Sequence, residues 1–101
     1  MRVEWDPAKS ESNKTKHGIA FERAQLVFDD PFCVTFPERV VDGEERWHAV
    51  GLIAGIVIIV VVYTYRVEGD EEVIRIISAR RATRRERELY AQAIEGSTQG
   101  T

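Results

Sequence analysis

Residues 49–63 read Ala-Val-Gly-Leu-Ile-Ala-Gly-Ile-Val-Ile-Ile-Val-Val-Val-Tyr, a run without a single charge. A membrane-spanning helix would need about 18 to 20 apolar residues, and this run stops at fifteen. A Gly51-x-x-x-Gly55 spacing is present, but the Ile and Val residues are β-branched and favour strand. Ala54-Gly55 also breaks the run near its middle. The stretch therefore predicts a buried β-hairpin, with strands over about Glu45 to Ile53 and Ile56 to Arg66.

Working outward, a turn near Gly69-Asp70 leads to a strand over Val73 to Arg80. Upstream, a short strand near Cys33 to Phe36 precedes a loop through Asp42-Gly43. Asp6-Pro7 has the form of an N-cap followed by proline at the first helical position, after a short strand at Val3 to Trp5. That first helix runs to about Lys16 and ends at His17-Gly18. It is almost wholly polar, and Lys9, Asn13 and Lys16 share one face, which is expected to be exposed and open to contact. A second helix spans Ala20 to Phe28 and ends at Asp29-Asp30-Pro31. Thr83 and Glu86 have capping-box spacing, and Leu89, Tyr90, Ala93 and Ile94 supply the stripe of a last helix. The fold class is α+β: two N-terminal helices, an antiparallel sheet and a closing helix. One domain over residues 1–95 with a flexible tail over 96–101 is expected, without internal repeats.

The chain has 101 residues and formal net charge -3, with 44% hydrophobic and 31% charged residues, as in ordinary soluble domains. A single cysteine, Cys33, excludes an intrachain disulfide and fits a reducing cytoplasm. The amino terminus has no apolar core of a signal peptide, so export is not expected.

Against the acidic total stands a basic cluster: five of the eight residues from Arg80 to Arg87 are arginine. Arginine grips phosphate bidentately, so the cluster points to an anion. The competing explanation is a solvated helix face with ion pairs to Glu86 and Glu88. Arg84 and Arg85 fall in the first helical turn, where cations oppose the helix dipole unless a phosphate binds there. With Lys9, Lys16 and Arg81 they are the candidate RNA-binding residues. Strand alternation puts Glu44, Arg46 and His48 on one face, with Trp47, Ala49 and Ile53 on the other. Thr64 and Arg66 share a face with Ile58, Val60 and Val62, and Arg80 shares one with Ser78, Ile76 and Ile74. Neither a metal site, a phosphate loop nor a Ser-His-Asp arrangement is supported by spacing, and no cofactor is expected. The remaining Arg, Lys, His, Glu and Tyr set suits RNA cleavage by its own 2′-hydroxyl, with His17 a candidate for proton transfer.

The order Trp5-Asp6-Pro7-x-Lys9, Asn13-x-x-Lys16-His17-Gly18, Phe21-x-x-Ala24 and Val27-Phe28-x-Asp30-Pro31 resembles the BrnT family. So do Gly43-Glu44-x-Arg46, Tyr63-Thr64-x-Arg66 and Arg75-Ile76-Ile77-Ser78-Ala79-Arg80. The resemblance runs from about Val3 to Tyr90. It implies a toxin of a bacterial type II toxin–antitoxin pair, with a RelE-like fold and metal-independent endoribonuclease activity that halts growth. It further implies a BrnA-like antitoxin partner, an RNA substrate, operator DNA bound only through the antitoxin complex, and no membrane. By matching position the family's polar motif residues are Lys16, His17, Glu44, Arg46, Arg66 and Arg80. Arg66, Arg80 and Arg46 would then clamp the phosphate, and His17 or Glu44 would accept the proton. His48 stands where a variable residue is expected. The acidic turn Glu68 to Glu72 would tune RNA access or meet basic residues of the antitoxin. Two rival functions remain: a non-catalytic module that binds nucleic acid or an acidic partner, and a structural partner serving assembly only. Loss of RNA integrity separates cleavage from binding, and salt-dependent RNA affinity separates binding from pure assembly.

Overall fold

The computed structural model describes residues 1–99, the last three as backbone only. Five strands form one sheet: β1 (Arg2–Glu4), β2 (Val34–Val41), β3 (Glu44–Ile53), β4 (Val57–Glu68) and β5 (Glu71–Arg81). Three helices accompany it, α1 (Pro7–His17), α2 (Phe21–Ala24) and α3 (Arg84–Gln99), with a 3₁₀ turn over Gln25–Asp29. The apolar run of residues 49–63 is indeed a hairpin, β3 to β4, turning at Ala54-Gly55 with φ of 54° and 66°. Both central residues have positive φ, as the right-handed twist of a tight hairpin demands.

The sheet order is β1-β5-β4-β3-β2. β2 to β5 pair antiparallel, but β1 lies parallel to β5 at Val73–Arg75, so the sheet is mixed where a purely antiparallel one was expected. The long helical excursion between β1 and the later strands permits this, because a parallel pair needs a crossover. The second helix is also shorter than its periodicity implies: α2 ends at Ala24 and the chain tightens into 3₁₀. α3 runs to Gln99, four residues into the expected tail; residues 100–101 lie outside the described residues.

Each face of the sheet has its own core. Phe21, Val27, Ile59, Val61, Ile76 and Ala79 are buried beneath α1, α2 and the 3₁₀ turn. On the opposite face Val50, Val60, Ala82 and Tyr90 form a smaller cluster where α3 crosses β3 and β2. Each fully buried Val, Ile or Phe contributes about 1.5–3 kcal/mol, so the α1 side carries most of the burial and the α3 side is only partly sealed. Of the α3 stripe, Tyr90 is buried, Leu89 and Ala93 are half-buried, and Ile94 is 37% exposed. Gly51 permits the α1-side packing, because a Cβ there would run into Val27 Cγ2.

α1 begins and ends as its sequence predicts. The Asp6 carboxylate accepts from the Ala8 N–H, and Gly18 closes the helix at φ 75°. Its expected exposed stripe is interrupted, however, by buried Asn13. Asn13 Nδ2 donates to the carbonyls of Ile19 (2.7 Å) and Ala79 (2.9 Å), while its Oδ1 accepts from the Ala79 N–H (3.1 Å). Ala79 lies on β5 beyond the reach of short β1, so this amide stands in for the missing neighbouring strand. Asn13→Ala would orphan both Ala79 backbone groups and is expected to cost roughly 2–3 kcal/mol in urea denaturation. Lys9→Ala, on the exposed part of the same helix, should stay within about 0.5 kcal/mol.

Candidate active site

α3 covers only part of its face of the sheet, and the uncovered remainder carries the charges. β3 alternates without interruption, so Glu44, Arg46 and His48 do share the face of Val50 and Leu52. Register then builds rows across the sheet. Arg39, Arg46, Thr64, Arg75 and Glu4 stand directly opposite one another through the five strands. The next row holds Phe36, His48, Val62 and Ser78, and the one beyond it Val34, Val50, Val60 and Arg80.

One face assignment on β5 is overturned. Val62 pairs with Ser78 but Tyr63 pairs with Ile76, leaving Ile77 as an extra residue in a β-bulge. The bulge inverts alternation, so Ser78 and Arg80 share the charged face while Ile74 and Ile76 turn into the α1-side core.

Arg66 and Arg80 are both committed to carboxylates. Arg80 Nη1 and Nη2 donate to Glu86 Oε1 and Oε2 at 2.8 and 2.9 Å. Glu86 also completes the capping box, accepting from the Thr83 N–H at 2.8 Å while its own N–H donates to Thr83 Oγ1 at 3.2 Å. The hydrogen bonds from Arg80 hold the Glu86 carboxyl at about 2, below its ordinary 4.5. The anion that the basic start of α3 calls for is thus an internal carboxylate. Arg66 binds Glu4 and Glu68, and Arg75 reaches Glu4 at 3.8 Å. The acidic turn is engaged internally too: Glu68 and Glu71 meet Arg2, and Glu72 accepts from the Tyr65 hydroxyl.

The expected three-arginine clamp does not converge on one point. Arg80 stands opposite Val60, six residues along β4 from Arg66, roughly 20 Å of strand. Two arginine side chains do not close that distance onto one phosphate. Arg46 differs from both: among the described residues it has no carboxylate within 4 Å, and its Nε is buried without an acceptor. Glu44 and His48 flank it at two residues either side, each roughly 7 Å away on the same face. His48 Nε2 lies 3.4 Å from Glu38 Oε2, longer than a strong hydrogen bond, with the ring edge-on to Phe36. Sequence alternation placed His48 correctly; only its role was set aside. Glu38 was missed because a bulge between Pro37 and Arg39 brings it there.

His17 is not part of this group. It ends α1 at the β5 edge of the sheet, lining one cleft with Lys9, Lys16 and Ser78 and another with Arg23 and Arg81. Neither cleft includes Arg46, Arg66 or Arg80. Arg84 and Arg85 are exposed on α3, Arg84 within 3.4 Å of Glu88. Cys33 is half-buried, and burial with the nearby Asp30 charge pushes its thiol up to about 11, so it is no nucleophile. Among the described residues no group of three or more His, Cys, Asp or Glu is placed to hold a metal ion, and no helix is long and apolar enough to cross a membrane.

The family model described as "Ribonuclease toxin, BrnT, of type II toxin-antitoxin system" matches residues 5–86. Among solved structures, the chain is similar to the Brucella abortus ribonuclease toxin BrnT, known from a 1.1 Å crystal structure. The TM-score is 0.63 and identity 28%, covering 83% of this chain and 99% of that one. No curated protein matches the chain.

Because the Glu86 pKa is depressed, the folded chain binds fewer protons there than the unfolded chain. Its stabilisation is full above about 4.5 and is lost as pH falls towards about 2. With Arg80 about a third exposed and screened by water, the ion pair and cap together should contribute about 1–2 kcal/mol at neutral pH. Thermal melts should show Glu86→Gln less stable than wild type at pH 7, with the gap closing near pH 2.

Proposed function

The chain belongs to the BrnT ribonuclease toxins of type II toxin–antitoxin systems, and from that premise we propose that it is a metal-independent endoribonuclease working from the charged face of its sheet. The observation that carries this reading is Arg46, an arginine free of carboxylates on an uncovered face, set between two proton-transfer groups. In the proposed reaction the RNA 2′-hydroxyl attacks the adjacent phosphorus as the bond to the 5′-oxygen breaks. The products are a 2′,3′-cyclic phosphate and a free 5′-hydroxyl. Glu44, exposed at the start of β3, accepts the 2′-hydroxyl proton. His48, whose Nε2 is only loosely engaged with Glu38, donates to the leaving oxygen. Arg46 stabilises the extra charge on the phosphorane.

Arg66 and Arg80, too far apart for one phosphate, meet successive phosphates of the strand in this reading. Lys9, Lys16, Arg84 and Arg85 add electrostatic attraction for the backbone. The proposed function extends, with the family assignment as its support, to inhibition of growth and translation by RNA cleavage in the cytoplasm, a RelE-type fold, and neutralisation by a BrnA-like antitoxin whose complex binds operator DNA.

Incubation of the purified chain with single-stranded RNA in EDTA tests the proposal. Wild type should cut, and Arg46→Ala should cut about a hundred-fold more slowly or worse, the loss expected when a charge meeting the transition state is removed. Glu44→Gln and His48→Gln should each slow cleavage about a hundred-fold, the contribution expected of a general base or acid. Intact RNA with a salt-sensitive gel shift would instead favour the non-catalytic binding module.

A further inference from the structure

On the sheet face opposite Arg46, the α1–α2 junction, the β3–β4 turn and the end of β5 enclose a notch of about 240 Å³. Its floor is aliphatic: Ile19, Ile53, Ile56 and Val57. Ile56 is 84% exposed, the most exposed of the large hydrophobic side chains in the described chain, and follows directly on the tight turn at Ala54-Gly55. Ala54 holds a left-handed φ of 54° in that turn.

The rim is cationic. His17, Arg23 and Arg81 surround the floor, and among the described residues none of them has a carboxylate within 4 Å. Arg2, Arg39, Arg66, Arg75, Arg80 and Arg84 each do, whereas Arg46, Arg85 and Arg87 do not. In a chain with 17 acidic residues against 14 lysines and arginines, acids are not in short supply. The notch thus sets arginines without carboxylate partners beside the largely exposed aliphatic side chain of Ile56.

We propose that this notch receives a segment of the antitoxin in which a leucine-type side chain is flanked by carboxylates. Aliphatic walls without an aromatic ring give a nucleobase nothing to stack on, whereas they suit a branched aliphatic anchor. Arg23 and Arg81 complement flanking Asp or Glu residues and set orientation and approach rate. Because the notch and the Arg46 face lie on opposite sides of the sheet, the partner is held away from the proposed cleavage centre. Arg81, first assigned to RNA, belongs to this rim.

A capped acetyl-Glu-Asp-Leu-Leu-Asp-Glu-amide peptide, titrated into the full ¹⁵N-labelled chain, tests this assignment. Shifts should appear at Gly18, Ile19, Arg23, Ile56 and Val57, and should weaken with salt. Ile56→Asp and Arg23→Glu should each reduce affinity about tenfold. Both positions are exposed, so the dispersion of the same spectra verifies that the variants fold. A peptide with Lys in place of each acid should leave the notch unmoved. No shift at any soluble peptide concentration, shifts confined to the Arg46 face, or a dinucleotide perturbing the notch where the peptide does not would each overturn the proposal. None of these outcomes bears on RNA cleavage, which is read separately in the EDTA assay.

Discussion

The carboxylate of Asp30 joins the parts of this fold that have no other reason to meet. It follows the 3₁₀ turn on the α1 side, and it accepts from the N–H groups of Phe32 (2.9 Å) and Leu52 (2.8 Å) and from the Tyr90 hydroxyl (2.6 Å). Burial alone would raise its pKa, but the three donors together pull it below the ordinary value. One ionised group therefore fixes the turn into β2, the end of β3 and α3 on the far face. Gly51 is bound by the same constraint, since a Cβ there would come within 3.3 Å of Asp30 Oδ2 as well as striking Val27.

From that anchor follows the asymmetry on which the proposed function rests. The helices before the sheet seal one face with apolar contacts. α3, tied by Tyr90 at one point and by Arg80–Glu86 at its start, covers only the β2–β3 end of the other. What is left bare is a lattice of side chains held in rows by strand register. A sheet positions such groups more rigidly than a loop does, which suits chemistry relying on charge placement without a cofactor. Most of the charges on this face neutralise one another, and Arg46 is conspicuous because it is not neutralised.

Much of this was legible where local rules act alone. Uninterrupted alternation on β3 placed Glu44, Arg46 and His48 together, the capping box marked the start of α3, and Gly18 marked the end of α1. Non-local pairing was not legible. Asn13 has the look of a surface residue on a polar helix, and nothing nearby in sequence announces a strand edge 66 residues away that needs its amide. The Ile77 bulge is equally silent, yet one extra residue reassigns the faces of Ile74 and Ile76. Arg80 was visible as a basic residue and Glu86 as a cap. That one carboxylate serves both could be seen only once β5 and α3 were placed in space.

The parallel pairing of β1 with β5 bears on when the protein first becomes itself during synthesis. Arg2–Glu4 leave the ribosome first, yet their partners are Val73–Arg75, and the amide of Asn13 waits for Ala79. Contacts that close so large a loop form late and slowly. The strand bearing Glu44, Arg46 and His48 is made long before the edge that steadies the sheet around it. A truncated or stalled chain ending before β5 would hold those three side chains without the scaffold that positions them. The order of assembly thus leaves the charged face unarranged until nearly the whole chain has been made.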